Sequence, residues 1–351
     1  MSKSLTNWEI YSFHSKKREA IMLRFIARRA AYAVITLLFV SMATYAIFAI
    51  LPFDPAALSC GKGCRPNLIE ANRIRLGFDK PIWEQYWLFL SGIFVGRNYG
   101  MGNAAFSCPA PSFGYSFNEN ACVTDLVKQA LPVTLSLAIG ALIIWLFMGV
   151  GLGVLAAKMK NSPVDTGATI FVLIGTSLPV FVTGLLFLVF LTIKWNIIPL
   201  SLTGYISIFS NPPGFFIYFL LPWLTLAFNF SAIYTRFTRS AILETASEDY
   251  IRTAVAKGLS PKVVLRKHTL RAALSPITTM AGLDFAALLG GAILTETIYN
   301  LPGLGRLSLK AVYDFDLSIV VATTLFAATI VIFMNLLVDI LYAYLDPRVR
   351  I

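Results

Sequence analysis

Three acidic residues lie inside long apolar runs of this chain: Asp284, Glu296 and Asp339. A carboxylate inside hydrocarbon is costly, so such a residue either serves a polar pathway or finds a partner. Asp284 is the deepest, about two helical turns beyond Pro276, and both roles are open to it. Glu296 falls near the far end of the same run, and Asp339 near the end of the last run, within reach of Arg348. Asn229 and Arg236 are polar interruptions in another run. Asp284, Asn229 and Glu296 are the candidate pathway residues. Other chemistry is thin. The two histidines, His14 and His268, lie outside the apolar runs, which argues against a proton relay or metal site built on membrane histidines. No G-x-x-x-x-G-K-[ST] loop is present. "CGKGC" at 60–64 continues with Gly after its Gly-Lys, so the chain has no phosphate cradle of its own. No nucleophile–base cluster stands out, and an enzymatic reading has little support.

The elements that hold these residues are spans. The chain has 351 residues, of which 57% are hydrophobic and only 13% charged. That is about half the charged fraction of a soluble domain. Apolar runs of about 18 residues or more, each long enough to cross a bilayer, recur along it. They predict an all-α membrane protein with six spanning helices near 30–51, 130–156, 166–193, 216–235, 276–298 and 318–343. Met22–Ala30 alternates arginine with apolar residues and reads as a short helix lying on the membrane surface.

The charges set the orientation. The net charge of +11 does not point to nucleic acid, because its lysines and arginines cluster on one side of the predicted spans. Seven lie in the tail up to Arg29, two at Lys158 and Lys160, eight between Arg236 and Arg271, and two at Arg348 and Arg350. The other side has Lys194, Arg306 and Lys310 in short loops, and a long 52–128 segment with seven basic and six acidic residues. Both termini are therefore expected in the cytoplasm and 52–128 outside. All four cysteines, Cys60, Cys64, Cys108 and Cys122, fall in that outer segment, where disulfides form. They allow three pairings. The local one, Cys60–Cys64 with Cys108–Cys122, is preferred, and would staple a loop able to dock on an outer partner.

The basic stretch 245–275 reads as two short helices joined by a tight turn. Thr245 and Glu248 fit a capping box for a helix over 246–257. Gly258 supplies a left-handed residue, and Ser260-Pro261 opens a second helix that ends near Leu274 before Ser275-Pro276 starts span five. Its basic face suits anionic lipid, but a rigid helix–turn–helix at the cytoplasmic face is better explained by docking a partner.

"DYIRTAVAKGLSPKVVLRKHTLRAALSPI" (249–277) resembles the cytoplasmic coupling loop of ABC importer permeases, in the oligopeptide/dipeptide/nickel branch. "LLGGAILTETIYNLPGLGRL" (288–307) and "DILYAYLDPRVR" (339–350) are similar to two further signatures of that branch. The long outer segment resembles its B-type subunit. The resemblance covers essentially all of 20–351. It implies the type I importer permease fold, divided as 1–29 tail and surface helix, 30–128 first span plus outer segment, and 129–351 core permease domain with a coupling loop at 245–275. It implies that Arg252, Thr253, Ala254, Lys257, Gly258 and Leu259 contact an ATPase. The partners it implies are a second, C-type permease, two ATPase subunits or domains that carry ATP and magnesium, and a solute-binding protein outside. The substrate it implies is a peptide, taken up across a bacterial inner membrane. A nickel or other small-solute permease of the branch is the near alternative, and an ion-coupled secondary transporter using Asp284 the distant one. Arg252-Thr253-Ala254 replaces the wider family's Glu-Ala-Ala, the outer cysteines are not general in the branch, and Asp284 stands where an uncharged polar residue is expected.

Overall fold

The computed structural model describes residues 27–47, 65–76, 79–99, 106–116, 118–199 and 205–345. Cys60, Cys64 and residues 22–26 of the expected surface helix lie outside the described residues.

Helix α1 (Ala27–Ile47) is followed by α2 (Pro66–Leu76) and α3 (Ile82–Val95). Two small hairpins come next: β1 (Arg97–Tyr99) pairs antiparallel with β2 (Phe106–Cys108), and β3 (Tyr115–Ser116) with β4 (Ala121–Cys122). Then α4 (Val123–Lys158), α5 (Pro163–Ser177), α6 (Val180–Lys194), α7 (Pro212–Ala246), α8 (Asp249–Ala256) and α9 (Pro261–Leu289) follow. Two short helices, α10 (Ile293–Ile298) and α11 (Leu304–Tyr313), precede the final α12 (Leu317–Leu345). Five helices are long and apolar enough to cross a membrane, and the pair α5–α6, bent by 104°, makes a sixth span if counted as one. The bend falls at Leu178-Pro179, where the proline disfavours helical backbone in the residue before it.

The core is the pair α4 and α7, which run parallel. Gly149 lies against Ser231 and Tyr234, and Gly153 against Thr235 and Thr238; a Cβ on either glycine would sit 2.6 Å from a side-chain carbon of α7. Small residues four apart let two backbones approach this closely within a membrane. The indole N–H of Trp223 donates to the carbonyl of Ser136 at 3.0 Å. Around this contact Leu137, Trp145, Phe219, Leu226, Tyr234 and Ile277 are buried together. Phe147, on the other face of α4, is 84% exposed, as a side chain meeting lipid or another subunit would be.

Several sequence expectations shift. Residues 27–30 belong to α1 without a break, so there the chain is already part of the span rather than a separate surface helix. Span four does not end near 235: α7 continues to Ala246, carrying Arg236 and Arg239 on the helix. Thr245 is inside α7 and caps nothing; Ser247 and Glu248 turn back on the carbonyls of Glu244 and Thr245, and α8 starts at Asp249 with Glu248 as its N-cap. The second loop helix does not stop near Leu274. It runs straight into span five as α9, with a wider π-type turn over Val264–Thr269 and Pro276 inside. Span five in turn stops at Leu289 rather than 298. Gly291, at φ +123°, lies so close to Gly305 that a Cβ would meet its Cα at 2.7 Å.

Candidate functional site

Two ends and a middle carry the polar chemistry. At one end α8 packs on the start of α9. Ile251, Ala254 and Val264 are buried against each other, so the inner face of α8 is fixed to the helix that becomes span five. Gly258 has φ +77°, the left-handed backbone expected there, and its N–H donates to the carbonyl of Val255 at 2.9 Å. A Cβ at Gly258 would meet nothing within 4 Å. Of the six residues expected to touch a partner, Arg252, Thr253, Lys257, Gly258 and Leu259 are exposed, while Ala254 faces inward. Tyr250, Val255 and Val263 add exposed apolar surface, at 48%, 58% and 41%. Beneath this end, Ala157 of α4, Ile242 of α7 and Ala273 of α9 are buried in one cluster, which ties the three helices together. The Arg239 guanidinium of α7 grips Asp165 of α5 with both carboxylate oxygens, at 2.6 and 2.9 Å. Asp165 also accepts from the backbone N–H of Asn161 at 3.0 Å.

In the middle, the Tyr234 hydroxyl donates to Asp284 Oδ2 at 2.7 Å. Tyr234 is fully buried and Asp284 half-buried. Asn229 is buried one turn and a half earlier on α7 and donates to the carbonyl of Thr225 at 3.2 Å. No hydrogen bond among the described residues joins Asp284, Asn229 and Glu296 to one another. The side chain of Asp339 lies outside the described residues.

At the opposite end Glu296 is fully buried. Thr134 of α4 donates its hydroxyl to Oε1 at 2.8 Å, and the backbone N–H of Arg306 donates to Oε2 at 2.8 Å. Thr134 in turn accepts from the N–H of Leu304 at 2.8 Å. Glu296 thus supplies the acceptor that the first turn of α11 lacks, at the positive end of the helix dipole. Gly303 and Gly305 leave the room: a Cβ on Gly303 would lie 2.5 Å from the carboxylate carbon. Tyr299 donates to the carbonyl of Gly184 at 2.9 Å and lies 2.7 Å from the hydroxyl of Thr225, tying α10 to α6 and α7.

The loop between β2 and β4 closes over this end. Cys108 and Cys122 are disulfide-bonded, with Cα atoms 5.8 Å apart, matching that half of the preferred local pairing. The loop is seated on the chain itself. Ser116 donates to Asp316 Oδ2 at 2.5 Å, Asn118 Nδ2 to the carbonyl of Asp314 at 3.1 Å, and Lys310 forms an ion pair with Glu119. Asp316 also accepts from the N–H of Ile319 at 3.2 Å, at the start of α12. Burial pushes the Asp316 carboxyl above the usual range against the lowering effect of these donors. The Glu119 carboxylate raises Lys310 above the usual lysine value.

Sequence reading singled out none of Thr134, Asp165, Asp316 or Tyr234. Asp165 carried a local signal, as an acidic residue in the first turn after Ser162-Pro163, and so did Asp316, which stands at the N-cap position just before the last apolar run.

The profile described as "Binding-protein-dependent transport system inner membrane component" matches residues 149–351. A second, for the N-terminal part of the same components, matches residues 22–138. A Brucella melitensis protein whose name assigns it to a peptide transport system as permease is 36% identical over 330 residues, covering 94% of this chain and 99% of its own. The dipeptide transport system permease protein DppB of Escherichia coli K12 is 34% identical over 351 residues, again covering 94% and 99%. The MetNI methionine ABC transporter, solved in inward-facing conformations, is similar in fold: TM-score 0.50, 17% identity, 64% of this chain and 97% of that one.

Proposed function

This chain belongs to the family of binding-protein-dependent transport system inner membrane components, and on that premise we propose that it is one of two homologous permeases forming the pathway of an ATP-driven peptide importer. The peptide substrate rests on the names of the relatives. Both termini and α8 face the cytoplasm, and the 52–128 segment faces outward toward a solute-binding protein, as the distribution of lysine and arginine requires.

One observation carries the mechanism. The short helix α8 is joined to the span α7 by the two-residue turn Ser247-Glu248 and to the span α9 by a four-residue turn over 257–260. An ATPase subunit seats on the exposed face of α8, on Arg252, Lys257 and Leu259 with Tyr250 and Val255 beside them. When ATP closes the ATPase pair, α8 is displaced as a rigid body. Ile251 and Ala254 pass that displacement to α9, and the two-residue turn at Ser247-Glu248 passes it to α7. Rigid-body rocking of packed helices then alternates access to the pathway. Asp284 and Tyr234 lie on those two moving helices, which makes their contact a candidate point of change along the pathway.

The test is to tag the chain, extract it in mild detergent and identify co-purifying proteins by mass spectrometry, with an Arg252→Ala/Gly258→Leu variant alongside. A second permease and an ATPase should come down, and the variant should lose the ATPase. Uptake of a labelled dipeptide should then stop on ATP depletion. A chain isolated without an ATPase, with uptake that persists without ATP, would establish ion coupling instead.

A further inference from the structure

A cavity of about 490 Å³ lies between α1 and α12. Its wall on α1 includes Tyr32, Ala33 and Thr36, its wall on α12 includes Ile332 and Asn335, and Arg28 stands at one end. Two of these residues lack, among the described residues, the partners their chemistry calls for. Arg28 is exposed, and its contacts among the described residues are both with Tyr32. Its Nε donates to the phenol oxygen at 3.2 Å, and the guanidinium carbon sits 5.6 Å from the ring centre. No described carboxylate pairs with it. Asn335 Oδ1 is buried and accepts no hydrogen bond among the described residues. An unpaired carbonyl oxygen within a membrane helix is costly, and something that donates to it removes the cost.

The lining therefore asks for three things in one ligand: a negative charge at Arg28, a hydrogen-bond donor for Asn335, and an apolar body against Tyr32, Ala33 and Ile332. From Arg28 to Thr36 the helix rises about 12 Å, the reach of a head group and the start of an acyl chain. We infer that this cavity is a binding site for an anionic phospholipid with a hydroxyl in its head group, of the phosphatidylglycerol or cardiolipin kind. Its phosphate meets Arg28, its hydroxyl donates to Asn335 Oδ1 once the buried amide turns toward the cavity, and an acyl chain lies along the apolar wall. Basic pockets between spans on the cytoplasmic side favour such head groups. The inference takes only its leaflet from the orientation proposed above; the cavity itself does not depend on what the chain transports. Because α1 packs on α12 and α3 near its other end, through Tyr45, Leu37 and Phe89, a lipid here fills the rest of the α1–α12 contact.

The test uses the assembled complex in mild detergent and counts retained phosphatidylglycerol by native mass spectrometry. Three chains are compared: the parent, Arg28→Gln, and Ala33→Phe, which fills the cavity and leaves the charge. The parent should retain the lipid, Arg28→Gln should lower retention about five-fold, the share of one basic residue beside an anionic lipid, and Ala33→Phe should abolish it. Added inorganic phosphate should not displace the lipid. Arg28 is exposed, so its variant decides the matter even if Ala33→Phe fails to assemble. Equal retention by Arg28→Gln and the parent overturns the site. So does displacement by inorganic phosphate, which would mark a free-anion site, and so does a map of the complex with residues 1–26 or another subunit in the cavity. Lipid retained by a complex that imports no peptide would sink the importer reading and leave this one standing.

Discussion

Thr134 donates its hydroxyl to the carboxylate of Glu296 at 2.8 Å, across 162 positions of sequence and deep inside the chain. The same hydroxyl accepts the N–H of Leu304, and the same carboxylate accepts that of Arg306. A membrane acid that invites a pathway role is here the cap of a short helix. The glycines of "NLPGLGRL" owe their place to that carboxylate as much as to the turn.

Glu296→Ala leaves those donors buried without an acceptor, and should destabilise the assembled complex by about 2–4 kcal/mol. Glu296→Gln keeps one acceptor oxygen and should cost less. Melting of the purified complex in detergent checks both. An alanine variant that melts with the parent would mean that the network contributes nothing.

Gly303→Ala should be at least as damaging as Glu296→Ala, because its Cβ would lie 2.5–2.6 Å from the carboxylate atoms. Combining the two should cost less than the sum, since removing the carboxylate frees the space. Additive losses in the double variant would show that Gly303 is needed for another reason.

Arg239 and Asp165 join α7 to α5 by a two-pronged ion pair. Arg239→Ala and Asp165→Ala should each weaken the complex, and the exchange Asp165→Arg/Arg239→Asp should recover part of the loss. Melting curves for the four chains form the cycle, and an exchange no better than the single variants would deny the pairing its role.

At Gly258 only the backbone is restricted, since no described atom stands in the way of a side chain. Asn tolerates the left-handed region, whereas Leu does not, at a cost of about 1 kcal/mol. Gly258→Asn should keep coupled uptake and Gly258→Leu should lose it, read as ATP hydrolysed per peptide imported. Equal loss in both would mean that a partner surface, not the turn, excludes the side chain.

Asp316 lies outside the spans, and its pKa is raised by burial. Folded Asp316 holds its proton at pH values where the unfolded chain has released it. Stability is therefore greatest below the ordinary carboxylate range and declines as pH rises through the raised value. Hydrogen exchange of the amides around 314–319 should accelerate over that interval, and Asp316→Asn should flatten the response. Lys310 works in a different window: its raised pKa gives a stabilisation present at neutral pH and lost only as pH climbs above the usual lysine range. Exposed as it is, the Lys310–Glu119 pair contributes at most about 1 kcal/mol.

What the sequence determined by itself was the solvent and the local backbone. Runs of apolar residues demand hydrocarbon, so the number of spans follows if the bent pair α5–α6 is one. Gly258 reads as left-handed because a Cβ is penalised there in any fold, and Pro261 reads as a helix start because it lacks an N–H to donate. The Cys108–Cys122 pair was legible because loop closure is local. The boundaries went wrong where neighbours decided: α7 ran past 235 and α9 past Leu274, since packing of Ile242, Ala273 and Val264 holds those turns helical where the local capping signals ask for breaks. The side-chain partners of Glu296, Asp165, Asp284 and Asp316 belonged to the tertiary structure alone. Thr134, Arg239, Tyr234 and Ser116 each lie 50 or more residues from the carboxylate they meet, and the stretch of chain around a carboxylate holds no record of which distant hydroxyl or guanidinium will meet it.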